Sequence, residues 1–426
     1  MLGRLKQAFT LAVIIRITRL ALGLVVSMLL LRYLGREGFG KVFVSMAFIT
    51  PLLCIAELGL TRLTVRELTR HPEAEGRILG TTLALRFLTG LAAFIFCWLA
   101  SFITGENHLS LVLIYSVLLI THAITEFHAL MEARGRVVRA MWLQFAGGLT
   151  GLSLAAAGIW YHAPVEWFAA AYVIECWVAA TLIWRSSNRL RVNQRLQWDG
   201  QLARKLWRES RFELVAQLGL LLLLRLDGVM LGWLGGDVAA GEYGAAVRIS
   251  EVVYFIAPTL ASVTLSPLVQ LQSTDPTRYR ERFSDYLATN LLIALLCASA
   301  LWLAADFAIR IVAGGAFTNA THMLRILAWA AVPYFVGVAR TQYLATEGKL
   351  EANLTAVILG VLVNVGLNIL WIPIYGGEGA AWATLIAYSV AWIGSSVLRQ
   401  DLWPVISLHW KGLKRLPQIL KQLRTA

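Results

Sequence analysis

Residues 8–31 read AFTLAVIIRITRLALGLVVSMLLL. As a helix this stretch is about 36 Å long, enough to cross a hydrocarbon core of about 30 Å. It follows Arg4 and Lys6, is long for a secretory signal and lacks a small-residue cleavage site, so it reads as a retained membrane span. Its two interior cations, Arg16 and Arg19, are three residues apart and share a helix face near mid-depth. A charge at that depth is costly and normally faces a cavity or a partner. One stretch therefore decides the fold and poses the question of function.

Eleven further apolar runs follow, at 42–61, 78–101, 109–131, 140–160, 165–184, 212–234, 244–268, 286–309, 323–346, 352–373 and 379–398. The composition agrees: 58% of the 426 residues are hydrophobic and 15% are charged, with a mean hydropathy of +0.66. Those values exclude a soluble globular enzyme and a disordered or disulfide-rich secreted chain. The expected fold is an all-α polytopic membrane protein with twelve transmembrane helices. Cys54, Cys97, Cys176 and Cys297 each lie in an apolar run without metal-ligand spacing, so they read as core residues, and no metal site or cofactor is expected.

The net charge of +13 could suggest a nucleic-acid partner until the cations are placed on the span map. With a cytoplasmic N-terminus, 27 of the 38 Lys and Arg fall in inside segments, 4 in outside loops and 7 within spans. That alternation is the positive-inside pattern, and it makes both termini cytoplasmic. The first outside loop dissents, since Arg32, Arg36 and Lys41 are three of the four outside cations. The charge is thus a topology signal and an attraction for membrane lipids, with no nucleic acid implied.

The longest polar stretch, 185–211, divides the spans six and six. This gives an N-terminal lobe at 1–184, a basic cytoplasmic linker at 185–211, a C-terminal lobe at 212–398 and a basic cytoplasmic tail at 399–426. The linker holds Trp198-Asp199-Gly200 and an amphipathic stretch, 202–212, expected to lie on the membrane surface. The halves resemble each other: Leu34-Gly35 matches Leu234-Gly235, Gly135 matches Gly348, and Tyr172 matches Tyr388, at offsets of 200, 213 and 216. A parallel six-plus-six duplication is a secondary-transporter architecture, two pseudo-symmetric bundles with a substrate path between them.

No P-loop, GxGxxG, HExxH or GxSxG is present, and the outside loops are too short to hold an acceptor and catalytic groups. The chain is therefore read as no enzyme. The informative residues are the charges inside spans. Arg16 and Arg19 in span one and Arg225 in span seven occupy corresponding helices near mid-depth, and arginine grips phosphate oxygens bidentately. Arg86, Arg340 and Arg248 complete the candidate anion contacts, although Arg248 and Glu251 share a helix face and could be a structural pair. Arg325 reads as a snorkelling anchor. Glu57, Glu126, Asp227 and Glu251 are candidate ion-coupling acids, Glu175 lies in span six, and His122 shares a face with Glu126 at i,i+4.

The segments Leu34-Gly35-Arg36-Glu37-Gly38-Phe39-Gly40, Glu57-Leu58-Gly59-Leu60-Thr61-Arg62 and Val65-Arg66-Glu67-Leu68 resemble the polysaccharide-biosynthesis flippases of the MOP exporter superfamily, which include Wzx-type translocases. The turns near residues 234–244 and at Gly348, and Gly376-Gly377-Glu378-Gly379, extend the resemblance. It implies a MATE-like fold of two six-helix lobes around a cavity that opens to either face alternately, in a bacterial inner membrane. The implied cargo is a polyprenyl-pyrophosphate-linked oligosaccharide, such as an O-antigen or exopolysaccharide unit, with other polysaccharide-assembly membrane proteins as possible partners. The arginines would then hold the pyrophosphate, with Gln217, Asn364 and Tyr254 as possible glycan contacts. The alternatives are a MATE-type cation-coupled antiporter, which would want an acidic cavity, and a polysaccharide polymerase or ligase.

Overall fold

Backbone in hydrocarbon must satisfy its own hydrogen bonds, which leaves helices as the natural solution for apolar runs of this length. The computed structural model describes residues 2–104, 108–189, 195–349 and 351–425, and no strand forms among them. The helices are α1 (Leu2–Glu57), α2 (Thr61–Arg70), α3 (Glu75–Thr104), α4 (Leu109–Thr121), α5 (Glu126–Ala133), α6 (Val137–Trp160), α7 (Val165–Asn188) and α8 (Gly200–Leu234). They continue as α9 (Gly236–Tyr254), α10 (Ile256–Thr274), α11 (Pro276–Val312), α12 (Ala320–Thr346), α13 (Glu351–Ser389), α14 (Ser395–Leu398) and α15 (Trp403–Thr425).

Ten helical stretches among the described residues are long and apolar enough to cross a membrane. Two of them, Ile14–Arg70 and Glu351–Leu398, have 57 and 48 residues, roughly twice or more the ~20 that one crossing needs. Each holds two passes folded at a glycine with positive φ, Gly35 (φ 67°, ψ −168°) in α1 and Gly376 (φ 54°, ψ −131°) in α13. Twelve passes result. Spans four and eight are interrupted, the first by a 3-10 turn at His122–Thr125 and the second at Phe255, three residues before Pro258. The dissenting outside loop is partly neutralised: Lys41 Nζ lies 2.7 Å from Glu37 Oε1.

Two compact units form, Met1–Val229 and Met230–Ala426. The boundary falls inside α8, because the first half of that helix packs on the first unit. Leu206 is buried with Leu58 and Leu60, Lys205 Nζ reaches Glu67 Oε2 at 3.1 Å, Arg66 pairs with Glu209, and Arg62 Nη1 lies 3.3 Å from Glu213 Oε1. The chain before α8 is stitched to the start of α3, with Gln197 N donating to Gly76 O and Asp199 N to Thr81 Oγ1. Asp199 then caps α8 by accepting from the amides of Gln201 and Leu202. The stretch expected to lie on the membrane surface is thus docked on α2 and α3. Arg191, one of the arginines of the 185–211 stretch, lies outside the described residues.

Most of the described part of the basic tail is helix α15. In α15, Val405 and Leu408 join Leu402, Tyr279, Phe283 and Leu287 in one apolar cluster on α11. Ser284 Oγ donates to Leu408 O, and a Cβ on Gly412 would sit 2.2 Å from Ser284 O, so only glycine admits this approach. His409 is half-buried on α15, and burial holds its imidazole below the ordinary value.

Two outcomes follow for α15. Gly412→Val undocks it at a cost of about 1–3 kcal/mol from overpacking, seen as lost amide protection over 403–415 with the spans unaffected. A base whose folded value is depressed stabilises the docked state above its unfolded value of about 6.5 and ceases to do so as pH falls through that range. Spin labels on α11 and α15 therefore separate between pH 8 and pH 5 in the wild type and keep one distance in His409→Gln.

Candidate functional site

The charged residues of the spans fall into groups with different surroundings. In the first unit α3 presents Arg86, which is 2% exposed, to three neighbouring segments. Its Nε lies 2.7 Å from Oε2 of Glu126, which is wholly buried at the start of α5. Its Nη2 donates to Thr61 Oγ1 at 2.7 Å and lies 3.9 Å from Glu57 Oε1, and its Nη1 donates to Thr125 Oγ1 at 3.3 Å. Thr61 donates to Glu57 in turn. The tight turn after α1, with Leu58 and Gly59 both at positive φ, brings Glu57 and Thr61 into this knot.

His122 and Glu126 do not pair with each other. The 3-10 turn at His122–Thr125 breaks the regular i,i+4 relation, so that His122 Nε2 faces Glu57 Oε2 at 3.9 Å while Glu126 is taken by Arg86. The anion contact expected of Arg86, and the coupling roles expected of Glu57 and Glu126, therefore meet groups already engaged with one another.

Arg16 and Arg19 are both exposed on α1, and Arg19 Nη1 donates to Gln144 Oε1 of α6 at 2.5 Å. On α7, opposite the same part of α6, the Glu175 carboxylate rests in a glycine cradle. A Cβ on Gly151 would stand 2.1 Å from Glu175 Oε2, one on Gly148 3.7 Å from Oε1, and one on Gly147 3.0 Å from the Glu175 carbonyl. Arg19 is within electrostatic reach of that carboxylate. Gln144 and the role of these glycines escaped the sequence reading, although Gly147-Gly148 followed by Gly151 is a helical-face pattern visible in the sequence. Arg225 is half-buried on α8, and Asp227, two residues on, is 4% exposed.

In the second unit Arg248 Nη1 pairs with Glu251 Oε2 at 3.2 Å, the structural pair that the i,i+3 spacing suggested. Arg340 is wholly buried and clamps α12 to the start of α13, with Nη1 donating to Asn353 Oδ1 and Nη2 to Ala352 O. Arg325 lies over the Trp302 ring at 5.6 Å and its Nη2 is 3.9 Å from Asp306 Oδ2. The suggested glycan contacts are engaged as well: Asn364 accepts from Asn368, Gln217 donates to Glu213, and the Tyr254 hydroxyl donates to Leu327 O. No group of metal-ligating side chains occurs among the described residues.

Comparison with known proteins adds a family. The polysaccharide biosynthesis protein family matches residues 5–272, and the MatE family matches residues 214–370. A probable low-salt glycan biosynthesis flippase, Agl15, of Haloferax volcanii is 24% identical over 189 residues, 44% of this chain and 40% of that protein. The match therefore spans well under half of the relative's length. Two solved structures share the fold. The lipid II flippase MurJ in an inward closed conformation has a TM-score of 0.74 at 15% identity, covering 96% of this chain and 92% of that one. A multidrug resistance MATE family transporter of the MOP superfamily, inward-facing, has 0.73 at 16%, covering 93% and 96%. The descriptions are of flippases and transporters, none of a catalyst.

The Arg86 knot makes a stability prediction. Arg86→Gln leaves Glu126 buried without its counter-ion and costs about 3–5 kcal/mol, whereas Arg86→Met/Glu126→Leu removes both charges and costs much less. Thermal unfolding in detergent should place the double variant above either single one. A Glu126→Gln variant with unchanged unfolding and lost transport would instead make Glu126 a working acid.

Proposed function

The chain belongs to the polysaccharide biosynthesis protein family, and from that premise we propose that it flips a polyprenyl-pyrophosphate-linked oligosaccharide across a bacterial inner membrane. The direction is from the cytoplasmic to the periplasmic leaflet, by alternating access, with both termini cytoplasmic. An O-antigen or exopolysaccharide repeat unit is the cargo class the family suggests, and other polysaccharide-assembly membrane proteins would supply and consume it. The observation that carries this reading is the pair Arg16 and Arg19, one turn apart and exposed within a membrane span, in the part of the chain that the family match covers. Guanidinium groups so placed suit a pyrophosphate whose lipid tail stays in the bilayer. Arg225 is the third proposed contact. Arg86 and Arg248 are left out of the grip because carboxylates, Glu126 and Glu251, hold their guanidinium groups, and Arg340 because it is wholly buried where α12 meets the start of α13.

The chain carries no nucleotide motif, so the drive would be a product gradient or an ion. Asp227 remains a coupling candidate, and Glu175 is the better placed one, in its cradle beside Arg19. The MatE match over residues 214–370 favours a second reading, a cation-coupled antiporter. Exposed span arginines suit a cationic cargo poorly.

Reconstituted protein should flip a fluorescent polyprenyl-pyrophosphate glycan. Arg16→Gln/Arg19→Gln should slow it about ten- to hundredfold at normal folded yield, the value of charge-assisted hydrogen bonds worth about 1.5–3 kcal/mol. Flipping untouched by both substitutions would remove the site. Failure with every pyrophosphate-linked glycan, together with proton- or sodium-driven export of an organic cation, would establish the antiporter.

A further inference from the structure

Helix α15 is apolar on two faces, and α11 uses only one of them. The docked face carries Val405, Leu408 and Gly412, the first two 2% and 6% exposed. A second stripe follows the spacing three, four, three: Trp403, Ile406, Trp410 and Leu413, at 53%, 38%, 62% and 36% exposure. At 100° per residue these four lie within one quadrant of the helix, about two-fifths of a turn from the docked face. Burying one such stripe against protein while leaving three or four large apolar side chains outward needs a second apolar phase.

The chemistry around the stripe says which phase. Lys414 and Lys411 are exposed on the flank of the stripe that leads round to Arg415, and the Lys414 Nζ lies over the Trp410 ring at 5.7 Å. Tryptophan with an exposed indole beside lysines whose stems run along the ring is the pattern of a headgroup-level helix, where the aromatic body is apolar and the cations reach phosphates. Arg415 takes no part, because it lies 3.5 Å from Asp285 of α11. The stripe is also continuous with surface that already faces lipid. Val397 and Leu398, at the end of the last span, are 56% and 77% exposed, and Trp403 Nε1 donates to Val397 O at 3.1 Å.

A turn at 399–402 sets the direction of α15. Arg399 holds Asp401 through two hydrogen bonds of 3.0 and 2.9 Å, and Lys349 Nζ reaches Asp401 O at 3.4 Å. The Arg399 guanidinium keeps the Asp401 carboxyl below its ordinary value, so this latch stays charged at any physiological pH. Pro404 in the first turn is tolerated because the amide it lacks would be unpaired there in any case.

We infer that α15 is a membrane-surface anchor: its outer stripe inserts at the level of the lipid headgroups, and Lys411 and Lys414 select anionic phospholipid on that leaflet. Through its docked face the anchor ties the adjoining end of α11 to the membrane plane. This inference stands apart from the cargo, since none of its residues is among the proposed cargo contacts Arg16, Arg19 and Arg225.

The test uses the full chain in vesicles, with a spin label at Leu413→Cys in a background lacking the four native cysteines. In a separate sample, the distance between labels at Ser407→Cys on α15 and Glu281→Cys on α11, both exposed, reports whether α15 stays docked. In phosphatidylglycerol vesicles the Leu413 label should be accessible to oxygen and shielded from a water-soluble nickel relaxant. The ratio of shielded to exposed label should fall about fivefold for each lysine replaced by glutamine. High salt should reduce it in the unsubstituted chain, so the result does not depend on the variants folding. A Leu413 label water-exposed in anionic vesicles while α15 stays docked would overturn the anchor. Equal shielding in phosphatidylcholine, or insensitivity to both salt and the lysines, would overturn the lipid selectivity. Shielding that persists in detergent and depends on protein concentration would show the stripe to be a contact between two copies, which also overturns it.

Discussion

A guanidinium in hydrocarbon must be answered, and the structure of this chain is largely a record of how each one is. Desolvation of an isolated charge costs several kcal/mol, more than any single packing contact returns. Arg86 is answered by a carboxylate 40 residues away and two hydroxyls, which ties α3 to the start of α5 and to the turn after α1. Arg248 is answered within its own helix, and Arg325 by an aromatic face. Arg340 has oxygens of Asn353 and Ala352, and it sits in the last two turns of α12, where the partial negative charge of the helix end favours a cation. Sorting them this way separates arginines that hold the scaffold from Arg16 and Arg19, which are exposed on α1, Arg19 donating to the neutral amide of Gln144.

The fold was legible because a membrane span is a local property. Twenty apolar residues state their environment without reference to the rest of the chain, and Gly35 and Gly376 marked the reversals between spans. Site geometry was legible only where it was local too. Arg248 and Glu251 could be paired from their spacing, whereas the Arg86–Glu126 pair joins different helices and depends on an interruption, His122–Thr125, that hydropathy does not signal. The same interruption spoiled the inference that His122 and Glu126 face each other. In α15 the docked positions 405, 408 and 412 were present at helical spacing, but the surrounding lysines and arginines dominated and the segment read as a basic tail. Its burial depends on the α11 surface, which no reading of residues 399–426 alone could supply.

The two halves show which parts of a duplicated chain resist divergence. Gly135 and Gly348, 213 residues apart, both adopt positive φ (67° and 70°) and end their helices with the same bond, Arg136 N to Met131 O and Lys349 N to Leu344 O. At the first turn the correspondence slips by one residue: Gly35 is matched in conformation by Gly236 rather than by Gly235. Inside the bundles the match dissolves. The offset of 213 carries Glu126 onto Ala339, so the acid that balances Arg86 in one half is a methyl group in the other. Tyr172 is 38% exposed, while Tyr388 is 3% exposed beside Tyr254 and Tyr334. A turn that needs positive φ accepts little besides glycine, whereas an interior charge pair can be exchanged as a unit for apolar packing at small cost. Turn motifs therefore preserve the family signature through both halves. What a member carries must be read from the interior charges, where the halves have parted, and there the exposed cations of α1 and the cradled Glu175 belong to the first half alone.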